Sequence, residues 1–271
     1  MADDSLYRNV LITGAAGYLG TVLAKALRND VTLRLSDRTR PDDPPPDFAM
    51  ADLASFAEVR RLMDGIDAVV HLGAYSVEGP WDEILQSNIV GTYNVFEAAR
   101  EAGVKRIVFA STHHVVGYYR RKTLIDTEVP LRPDSRYAVS KVFGEALGRM
   151  YADKHGMSVI CQRIGVARPK PIHRRALRTW LSEDDFVRLT RRCLSVPDVH
   201  FHIVYGVSAN DGSFWDNDAA AAALGFAPES NGADHRAEIE AVPDDEDAIA
   251  RLFQGGRFCG MEFDGDPDRI T

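Results

Sequence analysis

Three cysteines in 271 residues, Cys161, Cys193 and Cys259, with no C-x-x-C pair, leave neither a disulfide framework nor a zinc knuckle to expect. No apolar run approaches the roughly 18–20 residues that span a bilayer. The opening MADDSLYRNV carries two acids and no apolar stretch of the kind found in a secretory leader. Basic residues are in the minority: 32 Lys and Arg against 40 Asp and Glu, a formal charge of −8. That balance disfavours nucleic acid and anionic membranes as partners. These absences together point to a cytoplasmic protein with reduced thiols. What remains is ordinary for a folded enzyme-sized chain, with 45 % hydrophobic and 27 % charged residues.

Short apolar runs alternate with segments of helical period. Residues 10–13, 31–36, 68–72, 106–111, 158–164 and 201–207 read as strands, and 18–29, 54–64, 82–102, 134–155 and 183–195 as helices. Gly103 and Gly156 stand where two of those helices should end. The strands are near-continuous apolar runs, the pattern of a parallel sheet covered on both faces. The expected fold is α/β, a Rossmann-type doubly wound parallel sheet forming a single domain over 1–271, with a small C-terminal substrate-binding region. Segments 165–182, rich in proline and arginine, and 208–271 fit no regular pattern and are the expected substrate-binding parts, although Ala219–Ala223 suits a short helix. The run 39–47 (TRPDDPPPD) has four prolines and is expected to be a surface loop.

Gly14-Ala15-Ala16-Gly17-Tyr18-Leu19-Gly20 lies between the first strand and the first helix. Glycines there let the backbone approach a pyrophosphate, and the helix N-terminus offers N–H groups and partial positive charge. The spacing is GxxGxxG, not GxGxxG. Asp37 ends the second strand, 17 residues beyond Gly20. Its carboxylate suits ribose hydroxyls and would repel a 2′-phosphate, which favours NAD over NADP, although Arg38 and Arg40 stand beside it. Asp52, followed by Leu53, either flanks the adenine or caps the helix expected from about Ala54.

Tyr137-Ala138-Val139-Ser140-Lys141 puts a phenol and an ammonium at i and i+4 on one helical face. A phenol near pKa 10 is a weak base at neutral pH, and a neighbouring ammonium is expected to lower that value. Thr112 closes the fourth expected strand, 25 residues earlier, at the carboxyl edge where such sheets bind ligands. Thr112, Tyr137 and Lys141 are the candidate catalytic set.

GAAGYLG, Asp37, HLGAYS, NIVGTYN, FAST and YAVSK together resemble the extended short-chain dehydrogenase/reductase, or NAD-dependent epimerase/dehydratase, family over roughly residues 9–210. Within it the chain is most similar to the uronate dehydrogenase group, through HLGAYSVEGPWDEILQSNIVGTYNVFEAAR, RIVFASTHHVVGYY, RYAVSKVFGE, TWLSEDDFV, VYGVSANDGSFWDN and the late FQGGRF. The resemblance implies NAD-dependent oxidation of a hexuronate at C1, to an aldaro-lactone. It implies Tyr137 as general base, Lys141 tuning it and holding the nicotinamide ribose, and Thr112 on O1. It adds Leu72, Gly73, Ala74, Asn88 and Ile164 to the cofactor side, with Asn88 anchoring the active-site helix or a water relay. It adds Ser76, His113, His114 and Arg175 to the sugar side, Arg175 pairing with the C6 carboxylate. It also implies a homo-oligomer built through the long helices.

Two departures stand out. The group usually shows FASSNH where this chain has Thr112 and His113, and RIGS where it has Val166. These leave another aldose or acidic sugar as an alternative substrate, and a nucleotide-sugar epimerase or dehydratase as an alternative activity. The latter usually carries a larger C-terminal part than the roughly 60 residues that follow the sixth expected strand here. A non-enzymatic, NAD-binding redox regulator is disfavoured by the intact Thr112, Tyr137 and Lys141 set. Adjacent residues of an extended chain point to opposite faces, so His113 and His114 are not expected to share a metal, and no metal is expected. Tyr118-Tyr119-Arg120-Arg121-Lys122 is expected to be a solvated loop, and Trp180 and Trp215 to be either core or sugar-pocket residues.

Overall fold

The alternation of apolar and amphipathic segments builds a layered α/β fold in the computed structural model, which describes residues 7–45 and 48–270. Residues 46 and 47 of the proline-rich run lie outside the described part. The strands are β1 (Asn9–Thr13), β2 (Thr32–Asp37), β3 (Phe48–Met50), β4 (Ala68–His71), β5 (Arg106–Thr112), β6 (Ser158–Ile164), β7 (Val166–Ala167), β8 (Trp180–Leu181) and β9 (Phe201–Gly206). Seven of them form one sheet in the order β3-β2-β1-β4-β5-β6-β9. The pairs β1–β2, β1–β4, β2–β3 and β4–β5 are parallel, with Val10 facing Leu33 on one side and Ala68 on the other. β4 and β5 are buried along their whole lengths, as a strand covered on both faces must be.

The helices are α1 (Tyr18–Leu27), α2 (Phe56–Leu62), α3 (Trp81–Ile84), α4 (Gly91–Ala102), α5 (Arg136–His155), α6 (Ala176–Thr179), α7 (Glu183–Ser195), α8 (Asp218–Leu224), α9 (Arg236–Glu240), α10 (Ala248–Leu252) and α11 (Arg257–Gly260). The fold class agrees with the expectation, and four local features differ. β3 was not expected: it is three residues long, sits at the sheet edge and exposes Met50, so it carries too little apolar pattern to read. The helix expected over 82–102 is interrupted by a π-helical turn, Leu85–Val90. The helix expected over 54–64 is shorter, with Ser55 as its N-cap. The segment 165–182 does contain regular pieces, β7, α6 and β8, and Val166 of β7 pairs with Trp180 of β8.

The described residues fall into two compact units. One draws on Met1–Ala110, Phe143–Cys161 and Thr190–His202, the other on Ser111–Val142, Gln162–Leu189 and Ile203–Thr271. The second unit has its own apolar centre of Val115, Val116, Ile125, Tyr205, Val207, Phe214 and Trp215. There the Tyr205 and Trp215 rings stack at 5.1 Å. Both segments expected to bind substrate belong to this unit. Among the described residues no helix is long and apolar enough to cross a membrane.

In the first unit, Arg106 is fully buried at the start of β5. Its Nη1 donates to the Cys193 carbonyl and its Nη2 to the Val196 carbonyl, 2.9 Å away. These carbonyls lie at the end of α7, where a helix has no acceptors' partners of its own. Arg106→Met removes both donors and should destabilise the protein by about 2–3 kcal/mol in urea unfolding. An unchanged midpoint would show that the cap is dispensable.

Candidate active site

In the first unit, β1 and β4 are neighbours and their carboxyl ends cross closely. Gly14 has φ +71°, and a Cβ on it would lie 2.6 Å from the Gly73 nitrogen. A Cβ on Gly20 would lie 2.2 Å from the Gly14 oxygen. Only glycine fits either place. Gly17 is the N-cap of α1, supplies no side-chain hydrogen bond, and is followed by Tyr18 and Leu19 in a first turn without an acid. The helix end is therefore open to an anion. Asp37 ends β2 as expected. Its Oδ2 accepts the Ala16 N–H and its Oδ1 the Thr39 N–H, each at 3.0 Å. The carboxylate is thus fixed against the glycine turn and keeps further acceptor positions.

Asp52 does not cap the helix: its Oδ1 accepts the Ala54 N–H at 2.9 Å, one turn short of the Ser55 cap. Leu53 packs its Cδ1 against Gly73. Leu72 and Gly73 are tied to β1, Leu72 by its N–H to the Thr13 carbonyl and Gly73 by its N–H to Thr13 Oγ1. Asn88 is buried in the π turn. It holds the Tyr75 peptide at both edges, accepting its N–H at 2.7 Å and donating to its carbonyl at 3.0 Å. This fixes the loop from Ala74 to the exposed Ser76. Asn88 thus clamps that loop.

The second unit holds the other group. Thr112 ends β5, and His113–Val116 forms a 3-10 turn whose cap is the Thr112 hydroxyl, accepting the His114 N–H. The turn puts the His113 and His114 rings side by side, 4.1 Å apart, which corrects the expectation that they face opposite ways. Among the described residues no cluster suited to a metal includes them. Tyr137, in the first turn of α5, hydrogen-bonds to the Thr112 side chain. Lys141 is buried, with Nζ 5.9 Å from the centre of the Tyr137 ring.

The acidity of Tyr137 runs against the expectation. Burial pushes its phenol up to about 12, with Asp134 adding to the rise and the Thr112 hydrogen bond opposing it. Loss of water from a phenolate outweighs the Thr112 hydrogen bond, the one influence that lowers the value.

Three site neighbours have no role assigned from the sequence, although Gln254 and Phe258 belong to the FQGGRF segment. Asp134 is buried and accepts from His114 Nδ1 at 2.6 Å. Phe258 stacks on the His114 ring at 4.2 Å and meets Tyr137 edge-on at 6.4 Å. Gln254 accepts the Trp215 indole N–H at 2.9 Å, and its backbone carbonyl accepts Arg175 Nη1 at 3.0 Å. Arg175 itself is buried at the start of α6, and burial with the nearby Arg121 charge lowers its pKa to about 10. Its neighbour Arg174 is exposed and donates to the Glu240 carbonyl. Trp215 lies 5.2 Å from His113, whereas the Trp180 indole is used by the Arg168 carbonyl. The expected solvated loop at 118–122 is only partly so. Arg120 donates to the carbonyls of Pro267 and Ile270, and Arg121 to those of Ala250 and Phe253 and to Glu246.

The model of the NAD dependent epimerase/dehydratase family matches residues 10–167. The chain belongs to that family. It is 43 % identical over 267 residues to a uronate dehydrogenase of Pseudomonas syringae pv. tomato, covering 96 % of each chain. The crystal structure of uronate dehydrogenase from Agrobacterium tumefaciens superposes with a TM-score of 0.88 at 43 % identity, covering 93 % of this chain and 97 % of that one. A further relative, 38 % identical over 255 residues, is an NAD-dependent glucose-6-phosphate dehydrogenase of Haloferax volcanii, covering 85 % of this chain and 97 % of that protein. The chain is an NAD-dependent oxidoreductase. Its own residues fit the cofactor of the family: a turn where a Cβ would fill the cradle, an uncapped helix end and a fixed carboxylate at Asp37.

The raised phenol has a measurable consequence. The folded value of about 12 lies above the unfolded value of about 10. Above pH 10 the unfolded chain therefore loses its proton first, and stability falls as pH rises toward 12. Tyr137 should account for about 2–3 kcal/mol of that fall. Urea unfolding at about pH 9 and about pH 11.5 should show a smaller loss for Tyr137→Phe than for the unmodified protein. Equal losses would show that the phenol is not held in its neutral form.

Proposed function

We propose that the protein oxidises C1 of a hexuronate, glucuronate or galacturonate, to the aldaro-lactone. The observation that carries this reading is Arg175, a buried cation whose Nε lacks a hydrogen-bond partner, in the same unit as Thr112, Tyr137 and Lys141. A buried charged donor left unpartnered is costly, and an anionic ligand completes it best. The uronate dehydrogenase relatives support the same substrate class.

NAD, when bound, supplies the acceptor for the C1 hydride. Gly14, Gly17, Tyr18, Leu19 and Gly20 receive its pyrophosphate, and Asp37 its adenosine ribose. Asp52, Leu53, Leu72, Gly73, Ala74 and Ile164 line its remaining length, and Asn88 sets the loop that follows Gly73. Tyr137, as phenolate, takes the O1 proton while the C1–H bond breaks and C1–O1 gains double-bond character. Thr112 hydrogen-bonds O1, and Lys141 steadies the phenolate and holds the nicotinamide ribose. Arg175 pairs with the C6 carboxylate. His114, with Nδ1 committed to Asp134, offers its other nitrogen to a sugar hydroxyl, as does the Ser76 hydroxyl. Val166 supplies only an apolar contact.

The test is a panel of glucuronate, galacturonate, glucose and glucose 6-phosphate with NAD, read by NADH absorbance. Turnover is expected with the two uronates. Turnover of glucose 6-phosphate alone would move the substrate to a phosphorylated aldose, and turnover of glucose alone would remove the role of Arg175. Tyr137→Phe should lower kcat about 100–10,000-fold with NAD binding kept. Arg175→Ala should raise KM for glucuronate about 10–100-fold.

A further inference from the structure

Both ring nitrogens of His113 are engaged within the protein. Nδ1 lies 3.0 Å from the Ile164 carbonyl oxygen. That oxygen only accepts, so Nδ1 carries the proton and donates it. Nε2 then has a lone pair, and Arg175 Nη1, 3.3 Å away, donates to it. Burial, the neighbouring His114 and the charge of Arg175 hold His113 well below the usual imidazole range. The ring is neutral, as this pairing requires.

Arg175 Nη1 has two hydrogens, and the second goes to the Gln254 carbonyl at 3.0 Å. Nη1 is therefore saturated. Nη2 takes part in neither bond, and Nε is buried without a partner. The Glu246 carboxylate stands 3.8 Å from Nε, beyond hydrogen-bond reach, and is held by Arg121 Nη2 at 2.7 Å. Nε and Nη2 share one edge of the planar fork, and their parallel N–H bonds match the two oxygens of a carboxylate. A Cβ on Gly256 would lie 2.3 Å from Nε. Any side chain at position 256 would press on Nε, so only bare backbone fits beside that edge.

We propose that His113 is a positioning residue: with the Gln254 carbonyl it holds Nη1 of Arg175 and so commits the Nε–Nη2 edge to the carboxylate of the substrate. This rests on the hexuronate reading and sharpens it. His113 then acts on the sugar acid through Arg175 and has no nitrogen left for a sugar hydroxyl. An asparagine in place of His113 would also have an amide that donates at one end and accepts at the other.

The test compares His113→Leu and His113→Asn with the unmodified protein, using glucuronate and NAD. The leucine variant should raise KM for glucuronate about 10–100-fold. Its kcat should change much less, and its KM for NAD should not change. The asparagine variant should recover most of the loss. An unchanged KM for glucuronate in the leucine variant overturns the proposal, and so does an asparagine variant no better than leucine. A parallel loss of NAD affinity also overturns it, because general damage then explains the effect. If His113→Leu does not fold, Gly256→Ala serves, since its methyl sits against Nε. An unchanged KM for glucuronate in that variant overturns the edge assignment. Failure of the hexuronate reading appears separately, as absence of NADH from the unmodified protein with either uronate.

Discussion

A guanidinium taken out of water has to be given acceptors and counter-charge by the protein, or kept for a ligand that brings them. Arg175 imposes that condition on the second unit. Its acceptors come from far apart in sequence: the His113 ring after β5 and the Gln254 carbonyl before α11. Its counter-charge, Glu246, is shared with Arg121. Gln254 must in turn be satisfied, and it is. Its Oε1 accepts from Trp215, and its Nε2 donates to the carbonyls of Arg120 and Thr123. One buried charge thus determines what stands at several positions, and it gives the late FQGGRF segment a reason for its glutamine and for its second glycine.

The first unit answers to a different constraint, close approach of backbone. Gly14 and Gly73 cross at a distance no side chain tolerates. The crossing is braced underneath by Thr13, whose hydroxyl accepts the Gly73 N–H and lies 2.7 Å from His71 Nδ1. His71 Nε2 continues to Thr92 Oγ1 at 3.3 Å. Through these contacts β1, β4 and α4 are joined by one polar chain inside an apolar layer. Such a chain holds geometry only when each member is satisfied.

Which of these features could be read from the amino acids follows from the range of the forces involved. β1, β4, β5 and β6 are legible because burial on both faces demands consecutive apolar residues. The glycine turn, Asp37 and the Tyr137–Lys141 spacing are legible because each is a local pattern. β3 is too short to show a pattern, and the π turn holding Asn88 has no composition of its own. Asp134, Gln254 and Phe258 act through partners distant in sequence, so no local spacing assigns them a role, even where Gln254 and Phe258 fall in the FQGGRF segment. Arg120 and Arg121 mislead for the same reason. A basic loop reads as solvated until the carbonyls at 250, 253, 267 and 270 are seen to collect its guanidinium groups. His113 and His114 mislead through local geometry, since a 3-10 turn replaces the extended chain assumed for them.

Tyr137 shows how burial that opposes ionisation can still serve the proposed reaction. Its phenol, near 12, holds its proton at neutral pH. An opposite charge within about 4–6 Å of an ionisable group moves its pKa by about 1–3 units, which is the size of the rise that burial produces. Oxidised nicotinamide carries one positive charge and reduced nicotinamide carries none. In the proposed reaction a bound oxidised nicotinamide beside Tyr137 would favour its phenolate, and the reduced form would not. A phenolate whose conjugate phenol has so high a resting value would be a strong acceptor for the O1 proton. The dry surroundings that raise the phenol also strengthen its response to any charge placed beside it.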